Sequence, residues 1–153
     1  MKLLYVIPET ERNPGRLSRC LASHPEIRFA SLTAVDLGGN DTDEKIPIGH
    51  FIEHIDEYLS GGIQTDGSSV VLPKIAALNN AKVDFVADPG VRWYVDYNCE
   101  HLDPDRGFPI GTLRIPSFLK HRDRFIDSRS ILKHAMESIS ARLMELLAEC
   151  PDA

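Results

Sequence analysis

Two stretches of this sequence hold residue types whose spacing could do chemistry. The first is Thr65-Asp66-Gly67-Ser68-Ser69, set between Gly61-Gly62 and an apolar run from Val70. A carboxylate with two neighbouring hydroxyls can hold a cation or accept a proton, and Gly67 lets backbone approach a partner closely. The same residues also make a tight turn closed by Asp or Ser hydrogen bonds to nearby backbone, and the local pattern alone favours that turn. The second stretch is His50-Phe51-Ile52-Glu53-His54, which matches the HxxEH zinc-peptidase pattern. Its chemistry would need two imidazoles on zinc, one helical turn apart, with Glu53 as general base. At about 100° per residue, His50, Glu53, His54 and Glu57 fall on one side of a helix and Phe51, Ile52 and Ile55 nearly opposite. That side is the solvent face of an amphipathic helix, and no third ligand is evident from the sequence. Short motifs match often by chance, so a solvated face is favoured over a peptidase and no metal site is expected in this chain.

Other chemistries lack their residues. Cys20, Cys99 and Cys150 are odd in number and without CxxC spacing, which fits reduced thiols in a cytoplasm better than a disulfide framework. Gly67-Ser68-Ser69-Val70 lacks the second glycine of a GxSxG elbow, and no strand, Gly-rich turn and helix follow one another as a dinucleotide or P-loop site requires. A formal net charge of -6 provides no basic stripe to neutralise phosphates, so neither a nucleic acid nor a membrane surface is an expected partner. The cluster Lys120-His121-Arg122-Asp123-Arg124 is interrupted by its own acid and resembles a solvated turn. The apolar run from Leu3 to Ile7 is too short for a signal peptide or a membrane span, and Cys150-Pro151-Asp152-Ala153 fills the aliphatic positions of a prenylation box poorly.

The elements that would position these residues follow from periodicity. Residues 3–7 form a short strand stopped by Pro8. Asn13-Pro14 is an N-cap followed by a proline at the first helical position, opening a helix to about Ser23. Ile27 to Leu37 alternates with both faces partly apolar, as in a central strand; Gly38-Gly39-Asn40 turns it into a return strand, Thr42 to Ile48. A helix is expected from Gly49 to Ser60, ended by Gly61-Gly62. An irregular stretch from Val70 to Asn80 precedes two strands, Val83 to Ala87 and Val91 to Asn98, joined by Asp88-Pro89-Gly90. Asp103 to Gly107 is another turn, and Gly111 to Ile115 a last short strand. Asp127 or Ser128 caps a long final helix with Ile131, Leu132, Ala135, Met136, Ile139, Leu143 and Leu146 on one stripe. With 153 residues the order predicts one α+β domain, a small mixed sheet with helices packed on it, over residues 1–127. Residues 128–153 follow as a C-terminal helix whose stripe needs a partner surface.

Four stretches in succession make the chain resemble the N-terminal, β-grasp-like domain of the glutamine synthetase family. They are the hairpin Phe29 to Pro47 with its Gly-rich turn and closing Ile46-Pro47; Asp66-Gly67-Ser68-Ser69, similar to that family's Phe-Asp-Gly-Ser-Ser signature with Thr65 for the aromatic; Val83-Asp84 through Asp88 and Trp93 to Tyr97, like its paired strands with a proline-bearing turn; and Asp127-Ser128-Arg129-Ser130-Ile131-Leu132-Lys133, similar to its Asp-Pro-Arg helix start. The resemblance covers roughly residues 15–145.

That resemblance implies a cytoplasmic ligase that joins glutamate and ammonia through a γ-glutamyl phosphate, using ATP with Mg2+ or Mn2+. Its active sites lie between subunits of a homo-oligomeric ring, where this domain meets the catalytic domain of its own and the adjacent subunit. It implies that Asp66 holds ammonium and accepts its proton and that Ser69 lines the same pocket, while Arg129 fixes the last helix against the sheet. After Ser69 the family has a glycine-rich stretch with an aromatic where this chain has Val70-Val71-Leu72-Pro73-Lys74, so a γ-glutamyl–amine ligase with another amine is an alternative. The family's paired-glutamate metal motifs and nucleotide site are not among these residues. The chain alone is therefore expected to be inactive, to hold no cofactor of its own, and to be part of a longer polypeptide. The rival of a different class is a free-standing β-grasp module that binds a protein through its last helix.

Overall fold

A computed structural model of the chain describes residues 2–66, 82–102, 107 and 109–149, with the backbone alone at Asp66 and residues 98–102. In chain order its elements are β1 (Val6–Ile7), a 3-10 turn (Glu9–Glu11), α1 (Pro14–Ala22), β2 (Ile27–Val35), β3 (Asp41–Pro47), α2 (Ile48–Glu53), α3 (Ile55–Ser60), β4 (Ile63–Asp66), β5 (Lys82–Ala87), β6 (Trp93–Leu102), β7 (Pro109–His121), β8 (Arg124–Phe125) and α4 (Ser128–Glu149). The α+β class expected from the sequence is what these elements form. Asn13 caps α1 as its residue type dictates, its side-chain oxygen accepting from the Arg16 N–H at 3.1 Å.

The strands run β1-β6-β7-β2-β3, with β5 and β8 also on β7 and β4 on β5. β7 is the hub. Its first part pairs antiparallel with β6 and parallel with β2, through Thr33↔Pro116. From Ser117 onward it pairs with β5 instead. Pro116 sits at that seam, where the missing N–H is least costly, and its carbonyl accepts from the Asp88 N–H at 2.9 Å. A proline in mid-strand is why the sequence suggests only Gly111 to Ile115 here; the strand is far longer and is the centre of the sheet.

Two further expectations are corrected. β5 and β6 do not pair with each other: each pairs with a different part of β7, so Asp88-Pro89-Gly90 is a crossing between two neighbourhoods of one strand. The helix expected over 49–60 is two short helices broken at His54, which has φ −118° and ψ 23°. No Pro or Gly marks the break. It leaves Phe51 and Ile55 both buried.

The core lies between the sheet and helices α1 to α3, and holds Leu17, Leu21, Leu32, Phe51, Phe85, Trp93, Leu113, Ile115 and Leu119. β3 is an edge, and its alternating exposed Asp41, Asp43, Lys45 and Pro47 blunt further pairing. Helix α4 departs from this plan. Its first turn is anchored, whereas every residue from Ile131 to Glu149 is exposed, including Leu132, Met136, Met144 and Leu147. No helix among the described residues is long and apolar enough to cross a membrane.

Candidate functional site

Asp66 is the last residue of β4. The strand is launched by Gly61 at φ +120°, a conformation that favours glycine, with the Gly62 N–H closing on the Glu57 carbonyl at 2.9 Å. Ile63 and Thr65 point into the core, and Gln64 on the other face donates to Asp84 Oδ1 at 2.7 Å. This alternation fixes the register Asp66↔Lys82, so the two residues stand directly opposite each other at the end of the described pairing. His121 ties that end down, its ring Nδ1–H donating to the Lys82 carbonyl at 3.1 Å. The exposed Arg122 and Arg124 of the β7–β8 turn thus lie near the same end of the sheet. Ser69, the second residue of the expected site, and the stretch Val70 to Asn80 lie outside the described residues, as do residues 103–106 of the other expected turn.

The sheet face turned away from α1 to α3 carries a cleft of about 540 Å³, bordered by Thr33, Val35, Tyr94, Asp96, Arg114 and Arg129 among others. Arg114 organises it. One guanidinium nitrogen donates to Ser31 Oγ at 3.1 Å and to Asp43 Oδ2 at 3.0 Å, and the other lies 3.6 Å from Asp96 Oδ2. Two carboxylates on one guanidinium leave little positive charge to attract an anion, so this network braces β2, β3, β6 and β7. Arg129 behaves likewise: it pairs with Asp88 Oδ2 at 2.8 Å, donates to the Ser117 carbonyl at 3.2 Å and stacks over Phe118. It fastens α4 to the sheet, the role that the resemblance implied for it.

The HxxEH residues come together. Ligand-capable atoms of His50, Glu53 and His54 all lie within 4.8 Å of one another on an exposed face. Glu53, weighed from sequence only as a base, is thus a third potential ligand. Glu57, placed on this side by the sequence, has Oε2 3.7 Å from His54 Nδ1, and sequence reasoning missed Tyr58, whose Oη is 2.7 Å from His50 Nε2. Its helical spacing from His54 was the available signal. Cys20 offers no nucleophile, since burial and then the Glu11 carboxylate push its thiol above the usual range.

No family model and no curated protein matches the sequence. Solved structures do match in fold. A cryo-EM structure of Plasmodium falciparum glutamine synthetase superposes with a TM-score of 0.57 at 17% identity, over 85% of this chain and 23% of that one. A GmaS/ADP complex matches with a TM-score of 0.50 at 15% identity, over 82% of this chain and 26% of the other. The α+β fold of this chain is therefore one found within a glutamine synthetase, and the chain spans about a quarter of the length of either structure.

Proposed function

We propose that this chain is the N-terminal, β-grasp-like domain of a cytoplasmic glutamine synthetase-type ligase, which lends the loop beginning at Asp66 to the active site of a neighbouring subunit in a ring. The observation that carries this reading is the fold shared with a glutamine synthetase over 85% of the chain, in which Asp66 opens the segment of signature-like residues. In such a site the Asp66 carboxylate would favour NH4+ by charge and take its proton as the amine attacks a γ-glutamyl phosphate, with Ser69 lining the pocket. ATP and Mg2+ or Mn2+ would be held by the catalytic domain. The exposed apolar stripe of α4 fits a role in meeting that domain. A ligase that uses another amine is the nearest variant, because Val70-Val71-Leu72-Pro73-Lys74 departs from the family pattern.

The test has two parts. An antibody to this domain should detect a native polypeptide well above 17.1 kDa; a band at that mass would make the chain a free-standing module. In the longer protein, Asp66→Ala should cut ammonia-dependent glutamine formation by about 100-fold, the scale of a lost acid–base group. Its melting temperature should hardly move. Unchanged turnover would remove Asp66 from the mechanism.

A further inference from the structure

We propose that His50, Glu53 and His54 form a binding site for a divalent transition metal of the zinc class, which ties the end of α2 to the joint that leads into α3. The three side chains already converge, with their ligand-capable atoms within 4.8 Å of one another. Ligands at 2.0–2.2 Å from a tetrahedral ion stand roughly 3.4 Å apart. Closing the widest gap therefore takes a movement of about 1.4 Å, within reach of exposed side chains by small χ rotations.

Outer partners favour the same arrangement. A ligating histidine is oriented when its other ring nitrogen donates to an oxygen. With the Nε2 proton of His50 on Tyr58 Oη, 2.7 Å away, the lone pair falls on Nδ1. With the Nδ1 proton of His54 facing Glu57 Oε2 at 3.7 Å, the lone pair falls on Nε2. The two imidazoles pack tilted with centroids 4.7 Å apart, and both rings also pack against Tyr58, which limits how far either can swing.

The donor set selects the metal class. Two imidazoles and one carboxylate suit zinc and its neighbours, whereas Mg2+ prefers an all-oxygen octahedron. Water would take the fourth position. An exposed face has no walls to hold a peptide or exclude solvent, so a hydrolytic role does not follow. A structural one does: His50 and Glu53 belong to α2, and His54 is the non-helical residue joining it to α3, with no side-chain cap bond of its own. A metal shared by all three would fix the angle of that elbow above the buried Phe51 and Ile55.

The experiment is calorimetric titration of ZnCl2 into the metal-free 153-residue chain, paired with thermal unfolding in Zn2+ or Mg2+. One equivalent of zinc should bind and raise the melting temperature, while Mg2+ should do neither. His50→Gln and His54→Gln should each weaken zinc binding at least tenfold and abolish the rise, with Glu53→Gln weaker in effect. All three positions are exposed, so the metal-free variants should unfold near the parent temperature. No heat of binding in the parent chain would overturn the proposal. So would zinc bound equally well by both histidine variants, since the ion would then sit on other groups.

Discussion

Arg129 Nη1 lies 2.8 Å from Asp88 Oδ2, joining the first turn of α4 to the turn between β5 and β6. The carboxylate is mostly buried and the guanidinium about half exposed, so the pair sits between a screened surface bridge and a buried one. Arg129 also donates to the Ser117 carbonyl and lies over the Phe118 ring. Arg129→Ala should therefore cost about 1–2 kcal/mol in chemical denaturation. Arg129→Lys should recover only part of this, because an ammonium cannot span both acceptors as the planar fork does. Equal stability of the alanine variant and the parent would show that α4 is held by its cap alone.

That cap is Asp127, which is almost wholly buried. Its carboxylate accepts from the Ser130 N–H at 3.0 Å and the Ser130 hydroxyl at 2.7 Å, and from the Leu119 N–H of β7 at 3.3 Å. Asp127→Ala would leave two buried backbone donors without a partner as well as removing the N-cap. A loss of about 2–4 kcal/mol is expected. Asp127→Asn should be milder, since its amide oxygen can still cap. Urea unfolding followed by far-UV dichroism would measure both.

Tyr97 should make the fold sensitive to alkali. Its hydroxyl donates to the Leu4 carbonyl at 2.7 Å, and burial, then the nearby Glu26 carboxylate, push its pKa up to about 12. An unfolded tyrosine ionises near 10. Below that value both states hold the proton and this contribution to stability is complete. Between about 10 and 12 the unfolded chain releases the proton while the folded chain keeps it, so the contribution is lost as pH rises. The difference in melting temperature between the parent and Tyr97→Phe should be constant below pH about 9 and shrink steadily above 10. A difference independent of pH up to 12 would mean that the phenol is no harder to ionise in the folded state.

Much of this fold was legible because local chemistry and tertiary role agree. Asn13-Pro14 could open only a helix, and Gly38-Gly39-Asn40 between alternating runs signalled a hairpin, with Gly39 at φ +82° in the turn. The failures come from long-range choices. Pro116 suggests the end of a strand, yet lies where β7 exchanges one set of neighbours for another. Asp88-Pro89-Gly90 has the chemistry of a tight hairpin, but the Trp93 indole donating to the Asp88 carbonyl at 2.8 Å and Arg12 to the Pro89 carbonyl at 2.9 Å tie it into a wider connection. At the candidate site, the position of Asp66 follows from alternation along β4, while the role of its loop rests on signature residues rather than on geometry. The HxxEH cluster shows the opposite: helical spacing placed the side chains together, but the ring partner Tyr58 comes from α3, beyond a break at His54 that the sequence does not mark.

The exposed stripe of α4 separates two ways of using this domain. Leu132, Met136, Leu143 and Leu147 are each more than half exposed, and they contribute almost nothing to the core formed by the sheet and helices α1 to α3. Gln is close to Leu and Met in helix propensity. Replacing all four with Gln should therefore leave the 153-residue chain within about 0.5 kcal/mol of the parent's stability, since surface changes away from special features rarely do more. In a longer ligase, where the stripe would meet a catalytic domain, the same substitutions should lower the melting temperature and the yield of assembled ring. A third outcome is also measurable. If the stripes of two chains cover each other, parent stability will rise with protein concentration and the Gln variant will lose that dependence. Sedimentation of the parent chain across a hundredfold concentration range would then show a monomer–dimer equilibrium, and the proposed place of α4 beside a catalytic domain would have to give way to self-association.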